Sequence, residues 1–438
     1  MATLTFPLSR MEGHAQVVIE VQRGKVMSAR FQATEYRGFE YLVQGGPAEQ
    51  MPVIVPRICG VCSTAHHVAA VKTLEDVYGV NPPPLALKIR ELLMLGQLLQ
   101  NQATSLFLFT LPDRMGVASL FDIEPTQSAD DAIAGIATRA LQIRQVGTRI
   151  ITLAGGQFIH PVKAVVGGVT SGIPDESAAK AREALIWALP IACELFDAYW
   201  EASLAMGERL GTWGDDAPAC YISSIGPVHP NYYGDVIRVL GCDSEDVCAI
   251  FSARDFQDYL TVEETEYSYA SQTSYQGNVM RANSLARANL IQELGTPRAD
   301  GYLARFREAF GRPAHAIMLF DLARGIELVY AIERAIEILA DPLDKGEVAV
   351  PHKPRDGVGY GMVEAPRGPL IHRYEIEKGN IVRAQFVIPT VHNLLAIERA
   401  LRVAAERYVT PDNVALELEL AVGRVVRAFD PCIACATH

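Results

Sequence analysis

Four cysteines fall into two C-x-x-C pairs: Cys59 and Cys62 in RICGVC, and Cys432 and Cys435 in DPCIACATH at the end of the chain. That spacing turns two thiolates toward one centre, helped in the first pair by Gly60. Either pair alone reads as half of a zinc or iron–sulfur site. Together they predict one four-thiolate metal site. Zinc ribbons keep their half-sites close in sequence, because the metal staples a small fold. Here nearly the whole chain separates the halves, so metal chemistry explains the arrangement better than a staple does. Soft thiolates suit nickel, iron, copper(I) and zinc alike, and the spacing leaves the metal open.

The elements that must bring these pairs together are mostly helices. From about Thr3 to Glu35 apolar and polar residues alternate, with Gly24 at the middle turn, which predicts a hairpin or meander. VNPPPLALKIRELLMLGQLLQNQATSLFLF starts a helix at its prolines and holds apolar residues at helical spacing. Gln97, Gln100, Asn101 and Gln102 interrupt it too often for a membrane span, so it reads as a buried core helix. Another helix is predicted around ESAAKAREALIWALPIACELF, interrupted or kinked near Pro190. MLFDLARGIELVYAIERAIEILA, TVHNLLAIERALRVAAERYV and NVALELELAVGRVVRAFD are further helices, the last delivering Asp430 and Pro431. HRYEIEKGNIVRAQFVI reads as a strand pair around Gly379.

The fold class expected is therefore mainly α with a β-rich N-terminal section (α+β), the long helices forming a bundle-like body. It is one domain over 1–438. A β-rich section spans 1–56 and a helical body 57–345. A small β insertion spans 346–390, followed by C-terminal helices and the metal-binding tail over 391–438.

The chain has 438 residues, and its net charge of -12 argues against a nucleic acid or an anionic membrane as partner. MATLTFPLSRMEGH lacks a charged leader followed by an apolar region, so the expected location is cytoplasmic. In that compartment cysteines are not read as a disulfide framework. Cys193 is expected in a helical core, and Cys242 and Cys248 as reduced bystanders. GVGYGM has a faint likeness to a dinucleotide fingerprint but lacks its spacing and strand–turn–helix context.

RICGVCSTAHH and DPCIACATH resemble the two nickel-binding signatures of the large, catalytic subunit of [NiFe] hydrogenases. The resemblance runs end to end through SRMEGH, EYRGFE, GGQFIHP, EAPRGPLIH and FVIPTVHN, in the family's order. It implies that Cys59, Cys62, Cys432 and Cys435 hold nickel. Cys62 and Cys435 would also bridge to an iron carrying CO and cyanide. The activity implied is reversible heterolytic cleavage of H2 into protons and electrons. A hydrogen-sensing or regulatory subunit with the same site is the alternative.

By the same resemblance Glu12 relays protons, with Cys432 a candidate for taking the first one. Arg367 overhangs the open metal position. Asp430 pairs with Arg367 or caps a backbone amide, and His66 donates to a bridging thiolate. Pro389 and Thr390 wrap the iron's diatomic ligands, and Pro366, next to Arg367, is counted among the residues surrounding the centre. Glu40, the carbonyl of Phe386 and His438 are matched to magnesium ligands, and His160 to a structural role. Four cysteines outside the site make no iron–sulfur relay, so electrons leave through a small iron–sulfur subunit, then through further electron-transfer subunits. The compact length and tail resemble the soluble, cofactor-coupled class. The family's C-terminal extension is removed after the residue matched by His438, which implies a buried, ordered tail. One departure stands out: Gln102 and Ser105 occupy positions where many members carry histidines, and Asn101 replaces an acidic residue.

Overall fold

A computed structural model describes residues 2–120, 128–226, 228, 230–234, 236–242, 244–410 and 417–437; of 128–134 it describes the backbone alone. The N-terminal alternation becomes an antiparallel meander of β1 (Ala2–Pro7), β2 (Ala15–Gln22) and β3 (Lys25–Ala33). Gly24 takes the left-handed conformation that the β2–β3 turn requires. Val17, Ile19 and Phe31 face the core from the buried side of this sheet.

Behind the first cysteine pair lies α1 (Ser63–Tyr78), which begins directly after Cys62 and stops at the left-handed Gly79. Next comes α2 (Pro84–Ala103), opened by Pro84 at its first position. Its glutamines and Asn101 are buried, so the apolar run is a core helix as expected. Beyond Ala103 it widens into a π-helical segment over Thr104–Thr110.

α2 packs against α3 (Ser128–Gly155), and α3 in turn against α4 (Asp175–Leu204). α4 runs through Pro190 without interruption. Pro190 is exposed, so the hydrogen bond it cannot make is lost where water can serve the freed carbonyl.

Between residues 220 and 281 the helices share the body with a sheet that the periodicity did not announce. It consists of β4 (Cys220–Ser223), β5 (Ile237–Leu240), β6 (Val247–Phe251) and the two-residue β7 (Met280–Arg281), in the order β7-β4-β5-β6. Tyr221 pairs with Leu240 and Ile222 with Val239, which sets Cys220 opposite Gly241 and next to Cys242, and the two cysteines form a disulfide. The expectation of a reduced Cys242 is thereby corrected, because strand register and not sequence spacing decides this contact. Cys248 is free and exposed, and Cys193 is half-buried on α4.

α5 (Ser284–Leu290) and α6 (Phe320–Ile338) complete the centre, with α6 packed on both α2 and α4. A second meander follows: β8 (Gly357–Ala365), β9 (Gly368–Glu377) and β10 (Asn380–Val387), with Gly379 at the β9–β10 turn. β8 lies along α1. A Cβ at Gly361 would sit 2.3 Å from the Ala69 carbonyl oxygen, so the GVGYGM glycines serve close strand–helix packing. α7 (Leu394–Tyr408) and α8 (Glu417–Phe429) end the chain's helical part. α8 buries Leu418, Val422, Val425 and Phe429 and delivers Asp430 to the interior.

Candidate metal centre

Two short segments meet in the middle of this body. The first leaves a 3-10 turn over Val55–Ile58 and presents Cys59 and Cys62 at the start of α1. The second is the tail beyond α8, where Cys432 precedes a single turn over Ile433–Ala436. The four Sγ atoms lie within 4.8 Å of one another, and all four cysteines are buried. Cys59–Cys432, Cys62–Cys432 and Cys432–Cys435 are separated by 3.3, 3.7 and 3.0 Å, sulfur to sulfur. Sulfurs bound to one metal at about 2.3 Å sit roughly 3.8 Å apart in a tetrahedron. The thiols are thus gathered close to the spacing one ion demands.

The surroundings divide sharply in charge. Arg367 is buried, and its Nη1 donates to Cys62 Sγ at 3.2 Å. Its Nη2 donates to Asp430 Oδ1 at 3.1 Å and its Nε to the Asp430 carbonyl. Burial opposes that charge, but Asp430 and the sulfurs of Cys62, Cys432 and Cys59 hold Arg367 firmly protonated. Hydrogen bonds from Cys432 and Cys435, aided by Arg367, push the Cys62 thiol well down. Burial pushes Cys432 well up. The site is therefore an anionic sulfur cluster with one fixed cation on the Cys62 side.

On the opposite side Cys432 Sγ donates to Glu12 Oε2 at 3.0 Å, and the Ala434 amide donates to the same oxygen at 3.0 Å. Burial, followed by the charge of Cys59, raises the Glu12 pKa. Gly13 is obligatory beside it: φ is +81°, and a Cβ there would lie 2.7 Å from Ile433 Cβ. Thr390 Oγ1 accepts from the Cys432 amide at 3.0 Å. Pro389 and Thr390, with His66, Arg367, Ala365, Leu370 and Ile388, line a small cavity against Cys62, Cys432 and Cys435.

Other matched residues also converge. His66 Nδ1 meets His372 Nε2 at 3.1 Å, and His372 Nδ1 meets the Tyr374 hydroxyl at 2.7 Å. Glu40 Oε1 accepts from the Phe386 amide at 2.7 Å, in a pocket that also includes Ala436. The Arg37 amide ties the Thr437 carbonyl at 2.7 Å. His438 lies outside the described residues, so the third magnesium match has no position here. His160 Nδ1 faces the Pro56 carbonyl at 3.1 Å, a bracing contact on the turn before Cys59. Pro366 offers its carbonyl to Arg287 Nη2 at 2.7 Å.

Arg287, Glu327, Glu364 and His372 were not singled out from the sequence. For Arg287 and Glu327 the signal was a charged side chain set among apolar neighbours in SLARANL and LARGIELVYA, and Glu364 and His372 stand at the two ends of the matched segment EAPRGPLIH.

A fold that carries two segments so distant in sequence to one buried four-thiol pocket, with a carboxylate and a guanidinium on its sulfurs, defines a metal-centred redox catalyst. The chain belongs to the nickel-dependent hydrogenase family, whose model matches residues 37–138 and 238–438; a HoxL-like model matches 6–36. It is 34% identical over 420 residues to the matching chain of the F420-non-reducing hydrogenase vhu of Methanococcus voltae, covering 91% of this chain and 97% of that one. It is 30% identical over 466 residues to the beta chain of the NAD-reducing hydrogenase HoxS of Cupriavidus necator, covering 99% and 93%. A crystal structure of an NAD+-reducing [NiFe]-hydrogenase in the H2-reduced state superimposes with a TM-score of 0.91 at 28% identity, covering both chains fully. The Ni-Fe-Se hydrogenase of D. vulgaris Hildenborough shares the fold at a TM-score of 0.83 and 21% identity.

Proposed function

We propose that this chain is the catalytic large subunit of a [NiFe] hydrogenase and that Cys59, Cys62, Cys432 and Cys435 hold its nickel. In this reading Cys62 and Cys435 also bind an iron carrying CO and cyanide, in the small cavity lined by Pro389 and Thr390. The observation that carries the reading is the meeting of four buried thiols with Glu12 on Cys432 and Arg367 on Cys62. When bound, the metals supply reversible heterolytic cleavage of H2. The protein's own part is to hold and move protons and to fix charge.

Cys432 and Glu12 share a hydrogen bond, and the raised Glu12 pKa lets its carboxyl hold a proton closer to neutral pH than a free carboxyl would. The Ala434 amide keeps the receiving oxygen in place. Arg367 keeps a fixed positive charge beside Cys62, in a dry setting where such charges act strongly. Glu40, Phe386 and His438 would bind magnesium, tying the tail to β10. With a hard cation there, the tail that supplies two nickel ligands is anchored at both ends.

Electrons leave through an iron–sulfur partner. Tyr41, Leu42, Val53, Ile159 and Val162 expose apolar surface around the turn that leads to Cys59, and His160 ties the 159–162 stretch to Pro56. That face suits the partner. Relatives named as F420-non-reducing and NAD-reducing enzymes make a soluble, cytoplasmic electron-transfer complex the setting we favour. No helix among the described residues is long and apolar enough to cross a membrane.

Metal analysis combined with infrared spectroscopy tests the whole reading. Nickel and iron in equal amounts, with bands in the CO and cyanide stretching region, are expected. Zinc without such bands would overturn it.

A further inference from the structure

The hydrogen bonds that leave the Arg367 guanidinium return to the Arg367 backbone. Arg367 holds Asp430 Oδ1, and Asp430 Oδ2 accepts from Asn101 Nδ2 at 3.1 Å. The same Asn101 amide meets Gln102 Oε1 at 3.3 Å, and Gln102 Nε2 donates to Glu327 Oε2. Arg287 grips Glu327 through Nε and through Nη2, the latter at 2.8 Å. Nη2 of Arg287 also donates to the Pro366 carbonyl at 2.7 Å, and Pro366 is the residue bonded to Arg367. The ring is closed. No residue that contributes a side chain to it is more than 4% exposed.

Five parts of the chain contribute: α2, α5, α6, the β8–β9 turn and the end of α8. A tether fixes the ring to the body as well. Arg287 Nη1 binds Glu364 Oε1 at 2.8 Å, and Glu364 Oε2 accepts from the amide and hydroxyl of Ser224, both at 2.7 Å.

Stability is a poor explanation for this arrangement. Buried ion pairs seldom improve on well-packed apolar residues, since desolvation offsets the attraction. What a fully satisfied polar ring does supply is a unique geometry. Immediately beyond Ala103 the helix bearing Asn101 and Gln102 changes to π-helical winding, a local irregularity often met at functional sites.

We propose that Gln102 and Arg287 are positioning residues for Arg367. Together they hold its backbone through Pro366 and its guanidinium through Asp430, so that Nη1 stays on Cys62 Sγ. Gln102 is the neutral link that joins the two arms, at a position where many family members carry histidine. The proposal rests on Arg367 acting at the metal centre.

A double-mutant cycle on the holoenzyme tests it, using Gln102→Met, Arg367→Lys and the double variant. Gln102→Met opens the ring without changing any charge. It is expected to keep parental nickel and iron contents and an unchanged KM for H2, while kcat falls roughly tenfold. Infrared bands of the loaded centre are expected to shift in the direction seen with Arg367→Lys. The double variant is expected to be no slower than Arg367→Lys alone, because Gln102 acts only through Arg367. Losses that multiply, or a Gln102→Met enzyme with parental kcat and bands, would overturn the proposal alone. A parental Arg367→Lys enzyme would overturn the reading of Arg367 and the proposal with it. Should Gln102→Met not accumulate as holoenzyme, Gln102→Asn, one methylene shorter, opens the same link and carries the same cycle.

Discussion

The two cysteine pairs have the same spacing and opposite support. Cys59 is served by its own loop: the Val61 and Cys62 amides donate to its Sγ at 3.3 and 3.4 Å, and α1 begins at the next residue. Cys432 is served from afar. Its amide rests on Thr390, its sulfur on Glu12, and the residue two before it is held by Arg367 and Asn101. Asp430 itself sits in the left-handed region at φ +49°, a conformation that its neighbours must maintain. Cys59 is therefore encoded locally, with Cys62 adding one distant contact from Arg367, and the second half-site exists only once the body has folded around it. Metal binding needs both, but disturbance of distant residues should reach Cys432 more than Cys59.

The strongest break of this comparison is at the ligands. Cys62→Ser and Cys435→Ser should be equivalent despite their different surroundings, each losing nickel and lowering H2-dependent dye reduction by roughly 10³-fold or more. Nickel retained in one variant and lost in the other would mean that the halves bind separately. Glu12→Gln comes next and addresses the second half alone. The amide can still accept from Ala434, so nickel and iron contents should match the parent. H2 oxidation and proton–deuterium exchange should fall by roughly 10²-fold, the usual scale for removing a proton-transfer group. Near-normal exchange would reject Glu12 as the carrier.

The same contrast explains what could be read in advance. The hairpin at Gly24, the strand pair at Gly379 and the Cys59 loop depend on local turn chemistry, and each is visible in a short window of sequence. The partners of the tail depend on contacts hundreds of residues apart, such as Glu12 with Cys432, and only the family resemblance pointed to them. Arg287 and Glu327 were hidden for a related reason. A charge inside an apolar helix does not announce its partner, and theirs lie on other helices and turns. The Cys220–Cys242 disulfide was missed because its cysteines are 22 residues apart and meet only through the β4–β5 register. Pro190 misled in the other direction, since its solvent-facing position lets α4 continue.

Each half-site also has behind it a buried histidine whose pKa burial depresses, and acid should expose both. His67 on α1 faces the Pro52 carbonyl at 2.8 Å, and His392 in the turn after Thr390 faces the Pro369 carbonyl at 3.2 Å. Burial pushes both down to about 4 from the ordinary 6.5, overcoming the carbonyl contact in each case. A histidine depressed in the fold binds its proton more readily when unfolded. Its contribution is thus complete above the unfolded value of 6.5 and is lost as pH falls through the window down to about 4. Between about pH 7 and about pH 5 each histidine should remove roughly 2 kcal/mol of stability. Denaturant midpoints measured at the two pH values would show the loss. His67→Gln and His392→Gln should each lower stability at neutral pH and flatten the acid dependence by about one histidine's share. Fluorescent labelling of the four thiols in metal-free protein during acidification would locate the two effects. His67→Gln should alter when Cys59 and Cys62 become reactive, and His392→Gln when Cys432 and Cys435 do. Labelling of all four thiols in one step, in both variants, would show that the halves are a single unit and not two unequally supported ones.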